Sequence, residues 1–391
     1  MKVMHISYAG DFQEAYNRLI ERKGRENYYA QRYSVESVVK QARRGLSVMV
    51  IVLKTDGYAC DLEDNLQSVG LIPSNNGIDY AALKKEILAF GPDKVILRTP
   101  DPKILQFLRK NAIETLPVFA DSFGKVGLVR GRLHRFLLSR ELRNKAIRWI
   151  GNHQLNASRS LKALGVDSAK ILPYDWEHSD SPDNWQKPIR DHIEVRELRI
   201  FYAGALTEEK GLFDLMEGAA LLKKNKRNFE LRVAGKGDRE ACEARMNTLG
   251  IATSVKLLGL IDHDSVLQEM NAADVVVVPS RHEYPEGLPM TIMESLMVHT
   301  PVIASDHPMF VGRVGNMGAV RFFNAANPES LSDAISKVCS NDEIYSSCVK
   351  NAPKEWSSLI LDLKWAALMN TWIDNADPES FNGSTLKDID G

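Results

Sequence analysis

The chain has 391 residues, 44% hydrophobic and 26% charged, and a formal net charge of -1, which are ordinary globular statistics with length for two or three domains. Near-neutral charge argues against a nucleic-acid partner and so against DNA modification. Its cysteines, Cys60, Cys242, Cys339 and Cys348, form no C-x-x-C pair and no histidine cluster at metal-ligand spacing accompanies them; no disulfide framework and no metal site are expected, and a reducing, cytoplasmic setting fits.

The chain starts MKVMHISYAG, one lysine followed by a short strand-like run, and no uninterrupted apolar run reaches the length of a membrane span. Neither export by a recognisable signal nor membrane spanning is therefore expected. In the first half, β-rich runs at 2–7 (KVMHIS), 46–53 (LSVMVIVL), 94–99 (KVILRT), 116–121 (LPVFAD) and 146–151 (AIRWIG) alternate with helical patterns, which predicts a doubly wound parallel sheet. Gly10, just past the first run, would let a backbone approach phosphate; a plain turn glycine is the simpler reading.

Residues 125–148 hold Lys125, Arg130, Arg132, Arg135, Arg140, Arg143, Lys145 and Arg148 against the single acid Glu141. Leu133, Phe136 and Leu137 are interleaved with them, while Leu138, Leu142 and Trp149 fall on a different side. That pattern predicts a basic amphipathic element, either a solvated helix or a surface for anionic lipid or an anionic acceptor.

Residues 173–188 (PYDWEHSDSPDNWQKP) read as an interdomain connection. Charge changes sign there: up to residue 185 there are 28 Lys+Arg against 21 Asp+Glu, and beyond it 22 against 30. A second set of strands comes next, at 198–204, 229–235, 255–259, 274–280 and 301–306, predicting a second sheet of the same type. Such sheets bind ligands past the carboxyl ends of their strands, so the loops there hold the candidate residues. In YAGALTEEKGL (202–212), Gly204 ends a strand and Lys210 stands near a helix start, where a cation favours a diphosphate; a solvated first-turn lysine is the plainer alternative. In AGKGD (234–238), Gly235 leaves backbone open to a nucleotide base.

PEGLPMTIMES (285–295) is more restrictive. Gly287 permits close approach, Pro289 suits a first helical turn, and the helix it opens is apolar nearly all round and so buried. Glu286 then stands at its tip and Glu294 inside it, where an unpaired carboxylate is costly. Either the two acids bind a nucleotide sugar, or Glu286 caps the helix and Glu294 has an ionic partner.

The spacing Glu286-x7-Glu294 within EGLPMTIMESL, followed by TPVIASD, resembles the signature of the retaining GT-B glycosyltransferases that use nucleotide-sugar donors (group 1, family 4 like). AGALTEEKG, LRVAGKGD, VKLLGLI and ADVVVVPS resemble that family's supporting motifs in the same order, and 156–175 (NASRSLKALGVDSAKILPYD) its stretch before the linker. The resemblance covers residues 150 to 310 well. It implies two facing Rossmann-like domains: an acceptor domain over 1–185, a donor domain over 186–355, a helix over 356–375 crossing back to the first, and a polar tail over 376–391.

By position the resemblance implies donor contacts from Gly10, Gly204, Lys210, Gly235, Glu286, Gly287, Leu288, Met290, Thr291 and Glu294. Glu286 would meet sugar hydroxyls, Glu294 the ribose and Lys210 the diphosphate, with Glu286, Lys210 and Asp121 as the catalytic set. The implied activity is metal-independent transfer of a sugar from a nucleoside diphosphate sugar, UDP-linked for instance, to a hydroxyl of a sugar or lipid-linked sugar in polysaccharide or glycolipid synthesis. A peripheral position on the inner membrane face, through residues 125–148, would suit that role. Two departures stand out: Ala205 occupies the place of a common arginine, and Ala120 that of a histidine beside Asp121. They favour the alternative of a non-catalytic nucleotide-sugar-binding subunit; an epimerase or hydrolase on this architecture fits the Glu-x7-Glu spacing less well.

Overall fold

The computed structural model describes residues 1–8, 10–74, 77–123, 129–188, 191–375 and 384–391. They form two compact units, one of Met1–Glu26, Ala30–Glu177 and Leu361–Gly391, the other of Asn27–Tyr29 and His178–Ile360. The chain thus passes into the second unit at residue 178, within the expected connection, and returns at 361.

The first unit is built on an eight-stranded sheet of β1 (Lys2–Ser7), β2 (Ser47–Val52), β3 (Tyr58–Glu63), β4 (Leu66–Gly70), β5 (Lys94–Leu97), β6 (Glu114–Phe119), β7 (Ile150–His153) and β8 (Ile171–Tyr174), in the order β3-β4-β2-β1-β5-β6-β7-β8. All neighbours run parallel except β3 and β4. Runs such as SVMVIV are buried on both faces, as a covered parallel sheet requires. The chain places β2, then the β3–β4 hairpin with β4 inward, on one side of β1 and returns to the other side as β5, so the order reverses between β1 and β5.

The helix expected over 356–375 is two helices. Asp342–Leu359 belongs to the second unit and Trp365–Ile373 to the first. Ile360 turns extended at the break, and buried Asp175 secures the returning segment: its backbone N–H donates to the Leu363 carbonyl (2.9 Å), its carbonyl accepts from Trp365 (2.9 Å), and its carboxylate accepts from the Leu361 N–H (3.2 Å). Trp365, Leu368, Met369 and Trp372 then pack with Val3, Ile96, Leu116 and Val118 of the sheet. Lys94 lies over the Trp372 ring at 4.7 Å and Arg98 over the Trp365 ring at 5.0 Å.

Of the expected polar tail, residues 376–383 lie outside the described residues. The rest is no free tail: the helix Leu386–Asp390 buries Leu386 in the core of the first unit, and Asp390 pairs with Arg159 (2.9 Å) and Lys162 (3.3 Å). One apolar side chain and one acid account for the docking of a segment whose composition is otherwise polar. In the basic segment, residues 125–128 lie outside the described residues. The helix Val129–Leu142 turns Leu138 and Leu142 inward and leaves Leu133 (59%) and Phe136 (64%) exposed.

The second unit has six parallel strands, β9 (Leu198–Ala203), β10 (Phe229–Ala234), β11 (Val255–Gly259), β12 (Val275–Val278), β13 (Val302–Ser305) and β14 (Val320–Phe323), ordered β11-β10-β9-β12-β13-β14. Its order reverses between β9 and β12. The helix Met290–Met297 is buried through Ile292, Met293, Leu296 and Met297.

Candidate functional site

Two loops leave the reversal point of the second sheet: 204–211 after β9 and 279–289 after β12. They are pressed together by backbone. Gly211 has φ +74, and a Cβ on it would stand 2.0 Å from the Pro279 carbonyl oxygen, so only glycine fits. Arg281 ties the same two segments: its N–H donates to the Glu209 carbonyl (2.9 Å), and its guanidinium makes a bidentate pair with buried Asp214 (2.8 Å each) and a bond to Glu208 (2.8 Å). The Tyr202 hydroxyl, pushed well above the usual phenol range chiefly by burial and further by the Glu286 charge, donates to the Ala205 carbonyl at 2.6 Å.

This frame brings Lys210 and Glu286 together. The Lys210 ammonium meets Glu286 Oε2 at 2.5 Å and lies 4.6 Å from the Tyr284 ring centre, and the Ser280 hydroxyl donates to the same carboxylate oxygen at 2.9 Å. Beneath the loop, buried His307 contacts the Tyr284 carbonyl through Nε2 (3.1 Å) and accepts from the Met309 N–H through Nδ1 (3.2 Å). That network assigns the ring proton to Nε2. Burial lowers the His307 pKa, so the ring acts as a neutral brace.

The helix Met290–Met297 starts directly after. Pro289 is its N-cap and supplies no side-chain bond, so Glu286 does not cap the helix; it pairs with Lys210 instead. The N–H groups of Met290 and Thr291, in the first turn, have no intrahelical acceptor and mark an anion-favouring end. Gly287 and Leu288, between Glu286 and the cap, are buried. One turn further in, Glu294 is 6% exposed and its Oε1 lies 2.6 Å from Nε2 of His263, the first residue of the helix His263–Ala272. Both acids of PEGLPMTIMES therefore have protein partners, and neither is a bare buried charge.

Gly204 and Gly235 meet as backbone. Gly235 has φ +148, and a Cβ on it would lie 1.8 Å from the Gly204 carbonyl oxygen, which keeps the ends of β9 and β10 close. Gly10 and Asp121 belong to the first unit. Gly10 has φ +105 with open space where a Cβ would be; Asp121 follows β6, its carboxyl raised by burial, and its carbonyl accepts from Asn152 Nδ2 at 3.0 Å. Sequence reasoning passed over Ser280, Arg281, His263, Tyr284 and His307. Three of these lie in RHEYPEG or just ahead of it, in the loop past β12, and the post-strand rule that found Lys210 applied to them equally.

Residues 184–355, which hold every one of these second-unit groups, match the family described as Glycosyl transferases group 1. That stretch is therefore similar to a group 1 glycosyltransferase domain. Within the chain, 130 residues are 31% identical to the amylovoran biosynthesis glycosyltransferase AmsK of Erwinia amylovora, a match spanning 32% of this chain and 32% of that relative. Across the whole length, the chain has the two-domain GT-B fold of solved structures such as sucrose-phosphate synthase from Thermosynechococcus elongatus (TM-score 0.70, 17% identity, 96% of this chain and 98% of that one). HepE from Anabaena, solved with UDP and glucose, is similar at TM-score 0.65 and 14% identity over 96% of this chain and 98% of its own. The matched segment carries the Lys210–Glu286 pair at its switch point, and its helix Met290–Met297 begins shortly after Glu286 in the chain.

Proposed function

We propose that the protein is a retaining glycosyltransferase that moves a sugar from a nucleoside diphosphate sugar to an acceptor hydroxyl in polysaccharide or glycolipid synthesis. The observation that carries this reading is the Lys210–Glu286 pair, followed in the chain by the first-turn N–H groups of Met290 and Thr291, inside the segment that matches group 1. A diphosphate entering there competes for the Lys210 ammonium and frees the Glu286 carboxylate to accept from sugar hydroxyls. As the bond from the anomeric carbon to phosphate breaks, Lys210 and the helix N–H groups take up the developing charge without needing a metal. The new carbon–oxygen bond forms on the same face, and the acceptor's proton passes to the departing phosphate oxygen. Glu294, held by His263, is assigned the ribose hydroxyls, and Asp121 the acceptor side.

Nucleotide release from a panel of nucleotide sugars, followed with and without sugar acceptors, tests the proposal. Acceptor-dependent release supports it. Tight nucleotide binding with no release under any pairing would assign a non-catalytic binding subunit.

We also propose peripheral attachment to an anionic membrane through the helix Val129–Leu142. Exposed Leu133 and Phe136 lie among exposed Arg132 and Arg140, with Arg143 just past the helix. Each basic residue near such a surface contributes about 1 kcal/mol. Among the described residues no helix is long and apolar enough to cross a membrane. Flotation with vesicles of rising anionic content should carry the protein upward at low salt, and changing Arg132, Arg135, Arg140 and Arg143 to Ser should abolish this. Equal flotation of that variant, or none by the parent protein, removes the membrane role.

A further inference from the structure

The first unit has a switch point of its own, between β1 and β5, and the residue at its mouth is an arginine. Arg98 directly follows β5, and its N–H donates to the Ile6 carbonyl at 2.8 Å, which fixes it against the end of β1. Alternation along the strand puts Lys94, Ile96 and Arg98 on the face covered by the helix Trp365–Ile373.

The two cations on that face are in different situations. Lys94 is saturated: its ammonium donates to the Trp372 carbonyl (2.8 Å) and to Asn375 Oδ1 (2.5 Å), and Glu114 stands 3.5 Å away. Arg98 is half-buried and stacks on Trp365 at 5.0 Å, yet among the described residues no carboxylate or carbonyl accepts from its guanidinium. Four other partly buried arginines have a carboxylate, Arg109 with Glu141, Arg196 with Asp274, Arg232 with Glu269 and Arg281 with Asp214, while Arg227 and Arg313 donate to backbone carbonyls.

The surroundings of Arg98 do not neutralise it. Buried His5, on the neighbouring strand, bonds Gln41 Oε1 through Nε2 at 2.8 Å, and its buried Nδ1 has no hydrogen-bond partner among the described residues. Burial lowers His5 to a pKa of about 4, with the Arg98 charge acting in the same direction, so the imidazole is neutral at physiological pH. The buried Trp365 indole N–H likewise has no acceptor among the described residues. A planar, partly desolvated fork of donors at the ligand-binding edge of a parallel sheet is complementary to an oxyanion, which takes two of its N–H groups at once.

We propose that Arg98 is the anion-recognising residue of the acceptor subsite, selecting an acceptor that carries a phosphate group. The inference rests on the reading of the chain as a glycosyltransferase whose first unit takes the acceptor. The phosphate belongs either to a soluble sugar phosphate or to a lipid-linked one.

Titration calorimetry on the full chain tests this, with a nucleoside diphosphate present at saturation to occupy the Lys210 site. A hexose phosphate should bind and the neutral hexose should not. Arg98→Gln should weaken the hexose phosphate roughly tenfold or more. Arg98→Lys, which keeps the charge over Trp365 but lacks the fork, should fall between and serves if the glutamine variant does not fold. Vesicles containing anionic phospholipid form the second arm: binding to them that requires Arg98, without binding of the soluble phosphate, assigns the lipid-linked source. Hexose phosphate affinity equal in parent and both variants, or binding of neither phosphate form, overturns the proposal. Nucleotide-sugar turnover onto neutral acceptors that ignores Arg98 would remove this subsite and leave the enzymatic reading intact. Arg98-dependent phosphate binding with no turnover on any donor would do the reverse.

Discussion

Lys210→Ala is expected to lower turnover roughly 100- to 1,000-fold, the usual cost of deleting one preorganised donor at a developing negative charge. Affinity for a nucleoside diphosphate should fall much more than affinity for the nucleoside, because only the former presents charge to the ammonium. The pair geometry adds a second expectation. Glu286 is nine-tenths buried and holds Lys210 at 2.5 Å, so removing the lysine leaves a carboxylate supported, among the described residues, only by the Ser280 hydroxyl. Lys210→Ala should therefore also lower the melting temperature, and adding Glu286→Gln should restore part of that loss while leaving turnover low. Glu286→Gln alone should reduce turnover far more than nucleotide affinity. Glu294→Ala, in the same titration, should weaken the free nucleoside diphosphate by roughly 1 to 3 kcal/mol, the range for a lost charged hydrogen-bonding partner. Equal losses of nucleoside and nucleoside diphosphate in Lys210→Ala would make the lysine a structural partner of Glu286 and nothing more; unchanged affinity in Glu294→Ala would end its ribose role.

Much of this arrangement is legible in the residues themselves. Strands such as KVMHIS, SVMVIV and VVVV announce a parallel sheet because burial on both faces demands continuous apolar runs, and glycines directly after strands mark the loops. The hairpin of β3 and β4 was not legible: YACDLE mixes acids with apolar residues, as suits an edge strand with one solvated face, and so resembles a loop. Nor was the break between the two C-terminal helices, since Asp175, nearly two hundred residues away, makes it. At the site, the sequence pattern pointed to Glu286, Glu294 and Lys210 singly, but pairing is a property of topology. Lys210 follows β9 and Glu286 follows β12, and these strands are adjacent only because the sheet order reverses there. His263 was hidden for the same reason: its helix follows β11, at the far edge of the sheet, and nothing local to DHDSV shows that it reaches Glu294.

Arg281→Ala should have the largest effect on stability. Its guanidinium satisfies both oxygens of Asp214, whose side chain is 5% exposed, and removal of one partner of a buried pair typically costs about 3 to 5 kcal/mol because the other charge is stranded. With the arginine one-fifth exposed, the lower end of that range, about 3 kcal/mol, is expected. This is a large share of the roughly 5 to 15 kcal/mol that holds a domain folded. The functional consequence comes from position, since Arg281 touches no candidate ligand group yet binds Glu208 and Glu209, the two residues ahead of Lys210. Loosening them lets the lysine leave its place opposite Glu286, so nucleoside diphosphate affinity should fall even at temperatures where the variant is folded. Arg281→Lys should rescue little, because a single ammonium cannot engage both carboxylate oxygens and Glu208 together. Asp214→Asn combined with Arg281→Ala should regain stability, since the stranded charge is gone, but should not regain affinity, since the loops stay untied. Denaturant unfolding of the three variants, each paired with a nucleotide titration, separates the two effects. If Arg281→Ala unfolds and binds like the parent chain, the seat of Gly211 on Pro279 alone holds Lys210 in place.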